Sequence, residues 1–355
     1  TSSKIVPLQA PCASARVTRM KGFDCLRVAS RRFSRQVKVA STAVCAKLMG
    51  ANREQLLSAL SHAFVDGQAL RTYRHAPNAG SRKSWAAGDA SSRGVRLADI
   101  ALRGEMGIPG VLTAPQWGFY EVLFSHTNKD LALKPEGQRA FKLSQPYGTY
   151  VMENVLFKIS FPAEFHAQTA CEAAVTLHPQ VRDRLHEIEK IVITTHESAI
   201  RIISKQGPLA NAADRDHCLQ YMTAVPLAFG NLVAEQYEDD FHAAHPIIDE
   251  LREKMVIVED PRYTREYLEA DKRSIANAIQ VFFNDGTSTQ QVVVQYPIGH
   301  RRRRAEGIAL LEEKFKANLA TRFARQRCEE IFALCKDQAA LEATPVNRFV
   351  DLLVI

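Results

Sequence analysis

The stretch Ile275-Ala-Asn-Ala-Ile-Gln-Val-Phe-Phe-Asn-Asp-Gly286 is an apolar run that ends in a turn sequence. A second apolar run, Gln290–Tyr296, follows closely along the chain. Asn and Gly adopt positive φ more readily than other residues, so Asn-Asp-Gly favours the tight turn of a hairpin. We therefore predict a β-hairpin that pairs Ile275–Phe283 with Gln290–Tyr296. An alternating segment, Lys190–Thr195, predicts a further strand of the same block.

Apolar residues at helical spacing lie before, within and after this block. The helices predicted before it are Val37–Gly50, one from an Asn52 cap through Phe64, Ser84–Gly104 and Trp117–Phe124. Those predicted within it are Phe165–Leu177 and Asp214–Phe229. Those predicted after it are Ala309–Phe323, Arg325–Lys336 and Pro345–Leu353. In the Ser84–Gly104 helix, small residues should let another element approach closely, namely Ala86, Ala87, Gly88 and Ala90.

Helices first, a mixed block next and helices last predict a mostly α fold with an inserted α+β lid. The expected parts are a partial helical domain over 37–153, the lid over 154–300, and C-terminal helices over 301–355 that return to the helical domain. We predict a loop over Gly67–Ser81 and an exposed polar connection over Thr127–Gln138.

The positive charge lies in the N-terminal segment. The formal net charge is +7, and residues 1–36 hold eight Lys plus Arg and one acid, which leaves 38 Lys plus Arg and 38 Asp plus Glu beyond them. A neutral body lacks the basic field that binds phosphate backbones, so we expect no nucleic-acid partner. The Arg- and Ser-rich composition of 1–36 is typical of a mitochondrial transit peptide, and an unstructured or misassigned terminus is the alternative.

The sequence also argues against several classes of site. Seven scattered cysteines without a C-x-x-C pair predict buried free thiols rather than disulfides, zinc or an iron–sulfur cluster. His242 and His245 have a ligand-like spacing, but no third ligand is apparent, so we predict no metal. No apolar run reaches the length of about 18 residues that a membrane helix needs, so we expect no membrane partner. A phosphate loop, a dinucleotide fingerprint and a G-x-S-x-G elbow are absent from the sequence.

The strongest candidate site is the stretch Arg71–Asp89, a cation-rich Gly/Pro loop that leads into a helix. Its cations and histidine are Arg71, Arg74, His75, Arg82 and Lys83. Helix N-termini attract anions, and arginine forks bind carboxylates two oxygens at a time. These residues predict a site for a small polyanion, although a solvated charged loop is the alternative.

A second candidate stretch runs from Glu153 to His166. Lys158 stands among apolar residues, where desolvation would lower the pKa of a lysine into a range useful for proton transfer. His166 falls in the first turn of the helix that follows Pro162, and histidine is suited to acid–base work. A surface lysine and an ordinary helix-start histidine are the alternative for this pair.

Four further features are weaker. His217 is expected at the start of an apolar helix, either as a substrate contact or as a polar helix-start residue. Arg201 and Arg273 are isolated candidates for anion contact. The His300–Arg304 run precedes a helix, so a solvated or substrate-facing turn is more consistent with it than a nuclear signal.

Four stretches together closely resemble the MmgE/PrpD family, in particular its branch that dehydrates 2-methylcitrate. They are Asp66–Ala90, Gln145–Ala170, Pro208–Val225 and Tyr296–Gly307. The likeness runs from about Val37 to Ile355, including the final Pro345-Val-Asn-Arg-Phe-Val-Asp-Leu352. The polar connection after Phe124 looks like that of the fungal, mitochondrial members, which implies the mitochondrial matrix, with the cytoplasm as the alternative.

The resemblance implies a two-domain fold, with a helical domain that carries an inserted lid. It implies a hydro-lyase of propionate catabolism that removes water from 2-methylcitrate to give 2-methyl-cis-aconitate in the methylcitrate cycle, with no iron–sulfur cluster or other cofactor. Family members that act on cis-aconitate make a related lyase the alternative. The implied partner is a small tricarboxylate, and a homodimer is expected.

The resemblance also implies roles for particular residues. Lys83 matches an active-site lysine that precedes the Ala/Gly-rich helix, and Lys158 and His166 fall where the family places a lysine and a histidine at the lid boundary. We therefore predict Lys83, Lys158 and His166 as catalytic residues. The predicted substrate-binding residues are Arg71, Arg74, His75, Arg82 and His217.

One departure from the family concerns the region before Val37. The family has a longer helical N-terminal region with a Gly-His-Pro-Ser-Asp-like segment that contributes acid–base groups, and residues 1–36 do not resemble it. We therefore expect part of the family's active site to be missing from this sequence. An incomplete gene model is one explanation. The other is a shortened homologue that is catalytically impaired and serves as a binding or regulatory subunit.

Overall fold

The computed structural model describes residues 33–67, 73, 80, 82–124, 134–135 and 155–355. These residues form two compact units. One contains the described residues up to 67 together with 85–124, and the other contains 73, 80, 82–84 and 155–355. Most of the described residues are helical, and the strands form one small sheet. The predicted mostly α fold with a mixed α+β part is thus confirmed.

The first unit consists of helices α1 (Phe33–Leu48), α2 (Arg53–Val65), most of α3 (Arg82–Leu102) and α4 (Phe119–Phe124). Helix α1 stops before Gly50, which has a φ of 85° that few other residues adopt. Helix α2 starts with the predicted Asn52 cap, whose side chain accepts a hydrogen bond from Gln55 N while the Gln55 side chain accepts from Asn52 N. All four helices expected in this region are therefore present.

Helix α3 approaches α1 closely at a different residue from those predicted. A Cβ added to Gly94 would lie 2.9 Å from Ser41 Cβ, whereas a Cβ at Gly88 would meet nothing within 4 Å. Ala86 and Ala90 are buried as expected. Gly88 is exposed, so none of the described elements approaches the helix there.

The sheet of the second unit has four strands in the order β2-β1-β3-β4. They are β1 (Ile188–Thr195), β2 (Met255–Glu259), β3 (Asn277–Phe283) and β4 (Val292–Val294). Strands β3 and β4 form the predicted antiparallel hairpin, with Gly286 at a φ of 81° in its turn. Strand β2 pairs in parallel with β1 and was not predicted, because the polar residues around its five positions give it no clear alternation.

Helices cover this sheet and complete its core. They are α5 (Gln168–Val181), α6 (Glu197–Ile203), α7 (Ala212–Arg215), α8 (Leu219–Phe229), α9 (Asp239–Ala244), α10 (Ile247–Glu253) and α11 (Pro261–Leu268). Helices α5 and α8 pack on each other, and their Leu177, Tyr221 and Met222 are fully buried with Ile191 and Ile193 of β1. Burying several such side chains, each contributing about 1.5–3 kcal/mol, stabilises the unit and fixes both helices over the sheet.

One predicted helix proved to be two. The expected continuous helix Asp214–Phe229 is interrupted between α7, which ends at Arg215, and α8, which starts at Leu219. Cys218 has extended backbone angles, φ −118° and ψ 111°, which break the helix. That prediction was wrong at 216–218, and the break matters for the site described below.

The chain ends in helices α12 (Arg304–Ala320), α13 (Arg325–Lys336), α14 (Gln338–Ala343) and α15 (Val346–Asp351). The three predicted C-terminal helices are present, and these residues group with the second unit. The domain boundaries proposed from the sequence remain a prediction. None of the helices within the described ranges is long and apolar enough to cross a membrane.

Candidate functional site

A cluster of titratable side chains in the second unit forms at one edge of the sheet. Strands β1 and β2 are parallel, with Thr195 paired to Glu259, so their carboxyl ends lie together. His196 follows β1 directly, and α11 follows β2. A hydrogen bond from Glu197 N to Thr264 Oγ1, 3.0 Å, joins the start of α6 to α11. The sheet therefore brings His196 and Tyr267 of α11 to the same place.

His166 enters this cluster from a short 3-10 turn, Phe165–Ala167, at the start of α5. Glu164 caps the turn by accepting a hydrogen bond from His166 N at 2.8 Å, and its carboxylate also lies 2.9 Å from His166 Nδ1. Fully buried Asn277, the first residue of β3, donates to the His166 carbonyl at 2.9 Å. One carboxylate and one amide thus fix both the backbone and the ring of His166.

Two aromatic rings, those of Tyr267 and His196, pack beside the ring of His166. Tyr267 and His196 stack with 5.0 Å between ring centroids and 24° between planes. The His166 ring lies 5.6 Å from Tyr267 and 5.2 Å from His196, and His166 Nε2 is 3.4 Å from Tyr267 Oη. His166 and His196 are both buried. The ring of His166 is therefore contacted at both of its nitrogens.

The surroundings shift the proton affinities of these groups. Burial raises the pKa of Glu164, but the charge and hydrogen bonds of His166, with a smaller effect of His217, outweigh it and lower that pKa to about 2. Burial and the neighbouring His166 lower the pKa of His196 to about 3, against a small opposing effect of the Ala276 carbonyl. At neutral pH Glu164 is therefore a carboxylate and His196 is a neutral ring.

A second carboxylate–imidazole pair occupies the break between α7 and α8. His217 Nδ1 lies 3.0 Å from Asp216 Oδ1 and 3.1 Å from the Asp216 carbonyl oxygen. The segment before it is anchored by buried polar contacts. Lys205 Nζ donates to Asp214 Oδ1 at 3.0 Å, and Arg215 Nε donates to the Tyr237 carbonyl at 2.6 Å. These anchors hold Asp216 and His217 in a fixed turn rather than in a helix.

Lys83 forms an ion pair with Asp216 through both carboxylate oxygens. The side chains are 12% and 34% exposed, respectively. Burial raises the pKa of Asp216, but hydrogen bonds and charges from His217 and Lys83 together hold that pKa below its ordinary value. Asp216 therefore links a cation to an imidazole at neutral pH.

The two pairs lie in the same part of the unit, because Glu164 N donates to Sδ of Met222 at 3.4 Å, and Met222 belongs to α8, the helix that follows His217. Two imidazoles, each oriented by a carboxylate, together with a lysine can remove a proton at one position and supply one at another. The lysine also provides a positive charge that a substrate carboxylate or a developing anion would meet.

The cluster contains three of the residues predicted from the sequence, namely Lys83, His166 and His217. Arg82 lies beside Lys83, with its guanidinium 5.9 Å from the Tyr73 ring centroid. Arg71, Arg74 and His75 lie outside the described residues, so their roles stay predictions.

Lys158 differs from the expectation. Its residue is exposed, and its carbonyl accepts a hydrogen bond from Lys314 Nζ at 2.7 Å. The predicted desolvation of this lysine was therefore wrong, because the flanking apolar residues do not enclose the side chain. Its catalytic role remains an untested prediction.

Four members of the cluster were missed by the sequence reasoning: Glu164, Asp216, His196 and Tyr267. Two of them had a local signal, because Glu164 lies two residues before His166 and Asp216 is adjacent to His217. The other two had none, since His196 and Tyr267 reach the cluster only through the pairing of β1 with β2.

The weaker candidates also have clear positions. His242 Nε2 lies 3.0 Å from Asp249 Oδ2, and His300 caps a short turn by accepting from Arg302 N. Arg303 pairs with Glu172 and Glu306, whereas Arg301 and Arg302 are exposed, so the His300–Arg304 turn is solvated in part. Among the residues described, no group of three or more His, Cys, Asp or Glu is arranged to hold a metal ion.

Comparisons with known proteins place these features in a family. The chain is 58% identical to a 2-methylcitrate dehydratase of Cupriavidus necator and 57% identical to one of Escherichia coli K12, each over 322 residues. It is 53% identical over 321 residues to a protein of Yarrowia lipolytica named 2-methylcitrate dehydratase, mitochondrial. Each match covers 90% of this chain, but only 64% of the two bacterial relatives and 59% of the Yarrowia one.

Two family models match most of the chain. The MmgE/PrpD N-terminal domain matches residues 27–132, and the MmgE/PrpD C-terminal domain matches residues 161–338, which include both carboxylate–imidazole pairs. The chain therefore belongs to the MmgE/PrpD family.

Proposed function

We propose that this chain is a hydro-lyase that converts 2-methylcitrate into 2-methyl-cis-aconitate and water. The observation that carries the proposal is the cluster of Lys83, the Glu164–His166 pair and the Asp216–His217 pair. The printed names of the relatives supply the substrate. Because the chain spans less than two thirds of these relatives, the activity is a proposal for this chain.

The reaction breaks a C–H bond and a C–O bond, forms a C=C bond and releases one water molecule. In our proposal, His166 Nε2 takes the proton from the carbon next to a carboxylate, and Glu164 stabilises the resulting imidazolium. His217 gives a proton to the departing hydroxyl group. Both of its contacts with Asp216 use Nδ1, so we assign the proton transfer to Nε2.

Cations are needed in this reaction because negative charge gathers on the carboxylate beside the reacting carbon. Lys83 is our candidate for that role, since Asp216 orients its ammonium group within the cluster. We propose that Arg71, Arg74, His75 and Arg82 bind the other carboxylates of the substrate, where the fork of arginine matches two oxygens.

The direct test is an assay of water loss by the purified chain with 2-methylcitrate, followed by the absorbance of the new double bond. We expect turnover that increases with substrate concentration to saturation. Circular dichroism confirms that the protein is folded. A folded chain without turnover would contradict the proposal and favour a binding or regulatory homologue. Faster turnover with cis-aconitate would favour the related lyase.

The two predicted lysines can be separated by matched substitutions. Lys83→Met should abolish measurable turnover, because it removes the cation while preserving the length of the side chain. Lys158→Met should have a smaller effect because Lys158 is exposed. Equal losses of turnover in both variants would indicate that Lys158 is catalytic as well. Unchanged turnover in Lys83→Met would show that Lys83 is not catalytic.

We further propose that the protein acts in the mitochondrial matrix as a homodimer. The name of the Yarrowia relative supports the location. Fractionation of the source cells tests the location, since recovery outside mitochondria would contradict it. Light scattering of the purified chain tests the dimer, and a monodisperse monomer would refute it.

A further inference from the structure

The ring of His166 has a different partner at each nitrogen. Nδ1 lies 2.9 Å from Glu164 Oε2, and Nε2 lies 3.4 Å from Tyr267 Oη. A neutral imidazole carries its proton on one nitrogen only, and the partner at the other nitrogen decides which one. The two contacts therefore specify a tautomer.

The acid–base state of each partner gives the direction of the two hydrogen bonds. Because the pKa of Glu164 is lowered to about 2, its carboxylate only accepts, so Nδ1 carries the proton. Burial is the main cause of a raised pKa at Tyr267, so this phenol keeps its proton. Nε2 then accepts the O–H of Tyr267, and its lone pair faces the phenol.

Tyr267 is held in position from several sides. The fully buried ring of His196 stacks on it at 5.0 Å. The hydrogen bond between Glu197 N and Thr264 Oγ1 anchors its helix, α11. Arg273 Nη1 donates to the Tyr267 carbonyl at 3.4 Å. A tyrosine held this firmly can fix the position of a neighbour.

We infer that Tyr267 is a positioning residue for His166. Its hydroxyl keeps Nε2 of the neutral His166 ring as the acceptor, and His196 keeps the phenol aligned. The inference concerns the tautomer and can be tested without turnover. Its effect on the reaction rate rests on the proposed function, in which the bound substrate replaces the phenol as the partner of Nε2 and Nε2 then takes the proton from the substrate.

The charged and titratable groups that act on Tyr267 come from several elements. They are Glu164, His166, His196, Glu197, Arg201 and Arg273. Glu164 and Glu197 favour retention of the phenol proton, whereas Arg201 and Arg273 oppose it. Burial and the two carboxylates outweigh the arginines, so the phenol keeps the proton that it donates to Nε2.

The test is nitrogen-15 NMR of histidine-labelled protein, with the His166 signals identified by their loss in His166→Gln. In the wild type we expect the Nδ1–H tautomer. In Tyr267→Phe, which keeps the ring and the stack, the Nε2 resonance should move toward that of an unbonded nitrogen. Tyr263→Phe is the matched control, because it removes the hydroxyl of a buried tyrosine in the same helix.

Two results would overturn the inference: an Nε2–H tautomer in the wild type, or His166 signals that respond equally to Tyr263→Phe and Tyr267→Phe or to neither. If the chain turns over 2-methylcitrate, kcat/KM of Tyr267→Phe should fall roughly threefold to tenfold, the loss of one hydrogen bond. If neither the wild type nor any variant turned over 2-methylcitrate, the proposed function would be refuted. The NMR experiment would still decide whether Tyr267 fixes the tautomer of His166.

Discussion

The Glu164–His166 pair and the Asp216–His217 pair have nearly the same geometry in different surroundings. Their imidazole–carboxylate distances are 2.9 and 3.0 Å. Glu164 is 14% exposed and its histidine contacts two aromatic rings, whereas Asp216 is 34% exposed and binds Lys83. The first surroundings suit a base whose tautomer is fixed, and the second suit contact with an anionic substrate. The two pairs are alike, so it is the residues around each pair that distinguish their proposed roles.

A second contrast lies within one turn of chain, between Asp214 and Asp216. Asp214 is fully buried against Lys205, which is 3% exposed, and it also accepts from Ala210 N. Asp216 is partly exposed and pairs with Lys83 and His217. Two aspartates separated by one residue therefore serve different purposes, since one holds the turn and the other belongs to the cluster.

The largest expected effect separates the two histidines by activity. His166→Gln should lower kcat by about 10²- to 10⁴-fold, the usual contribution of a general base. His217→Gln should cause a loss toward the lower end of that range, because water can also protonate a leaving hydroxyl. His186→Gln is the control, since its side chain is 83% exposed. A larger loss in His217→Gln than in His166→Gln would reverse our assignment of roles.

The next effect separates the two aspartates by stability. Asp214→Asn should lower the free energy of unfolding by about 3–5 kcal/mol, because it leaves the buried Lys205 without its counter-charge. Asp216→Asn should cost less than about 1 kcal/mol, since its ion pair is partly exposed. Urea unfolding measures both values.

Asp216→Asn should instead act on turnover. We expect kcat/KM to fall roughly tenfold to a hundredfold, the range for a hydrogen bond to a charged group. Similar losses of stability in both aspartate variants, with turnover intact in Asp216→Asn, would show that both residues serve only the fold.

The smallest expected effect concerns His196, which packs against the ring of His166, and it is a change in how stability depends on pH. The pKa of His196 is about 3 in the fold and near 6.5 in an unfolded chain, so only the unfolded state binds its proton between these values. The contribution of the neutral His196 ring to the free energy of unfolding is fully present well above pH 6.5 and is lost as the pH falls below that value. Between pH 6 and 5 the loss should be about 1 kcal/mol.

His196→Phe keeps the stack but cannot titrate, so its unfolding free energy should depend less on pH in that interval. His300, whose pKa is lowered to about 4, contributes in the same direction and is retained in both proteins, so the difference isolates His196. Identical slopes of unfolding free energy against pH in wild type and His196→Phe would contradict the buried, neutral state of this ring.

Local chemistry made much of the fold predictable. The Asn52 cap, the stop at Gly50 and the Asn284–Gly286 turn were read correctly because each depends on residues close in sequence. The same reasoning failed at 216–218, where a helical pattern continues through Cys218 but the backbone does not. Tertiary contacts cause this break in the helix. Lys205 binds Asp214, and the Tyr237 carbonyl accepts a hydrogen bond from Arg215.

The sequence by itself determined the helices of the first unit, the β3–β4 hairpin, the family, and the chemical types near Lys83, His166 and His217. Periodicity, caps and turns act over a few residues, and a long resemblance needs no coordinates. Only the tertiary structure decided that Lys83 meets Asp216 and that Tyr267 and His196 enclose His166. The ion pair joins residues 133 positions apart and the His166–Tyr267 contact residues 101 apart. His196 and Tyr267 come together because the parallel strands β1 and β2 end at a common edge, which no local pattern encodes.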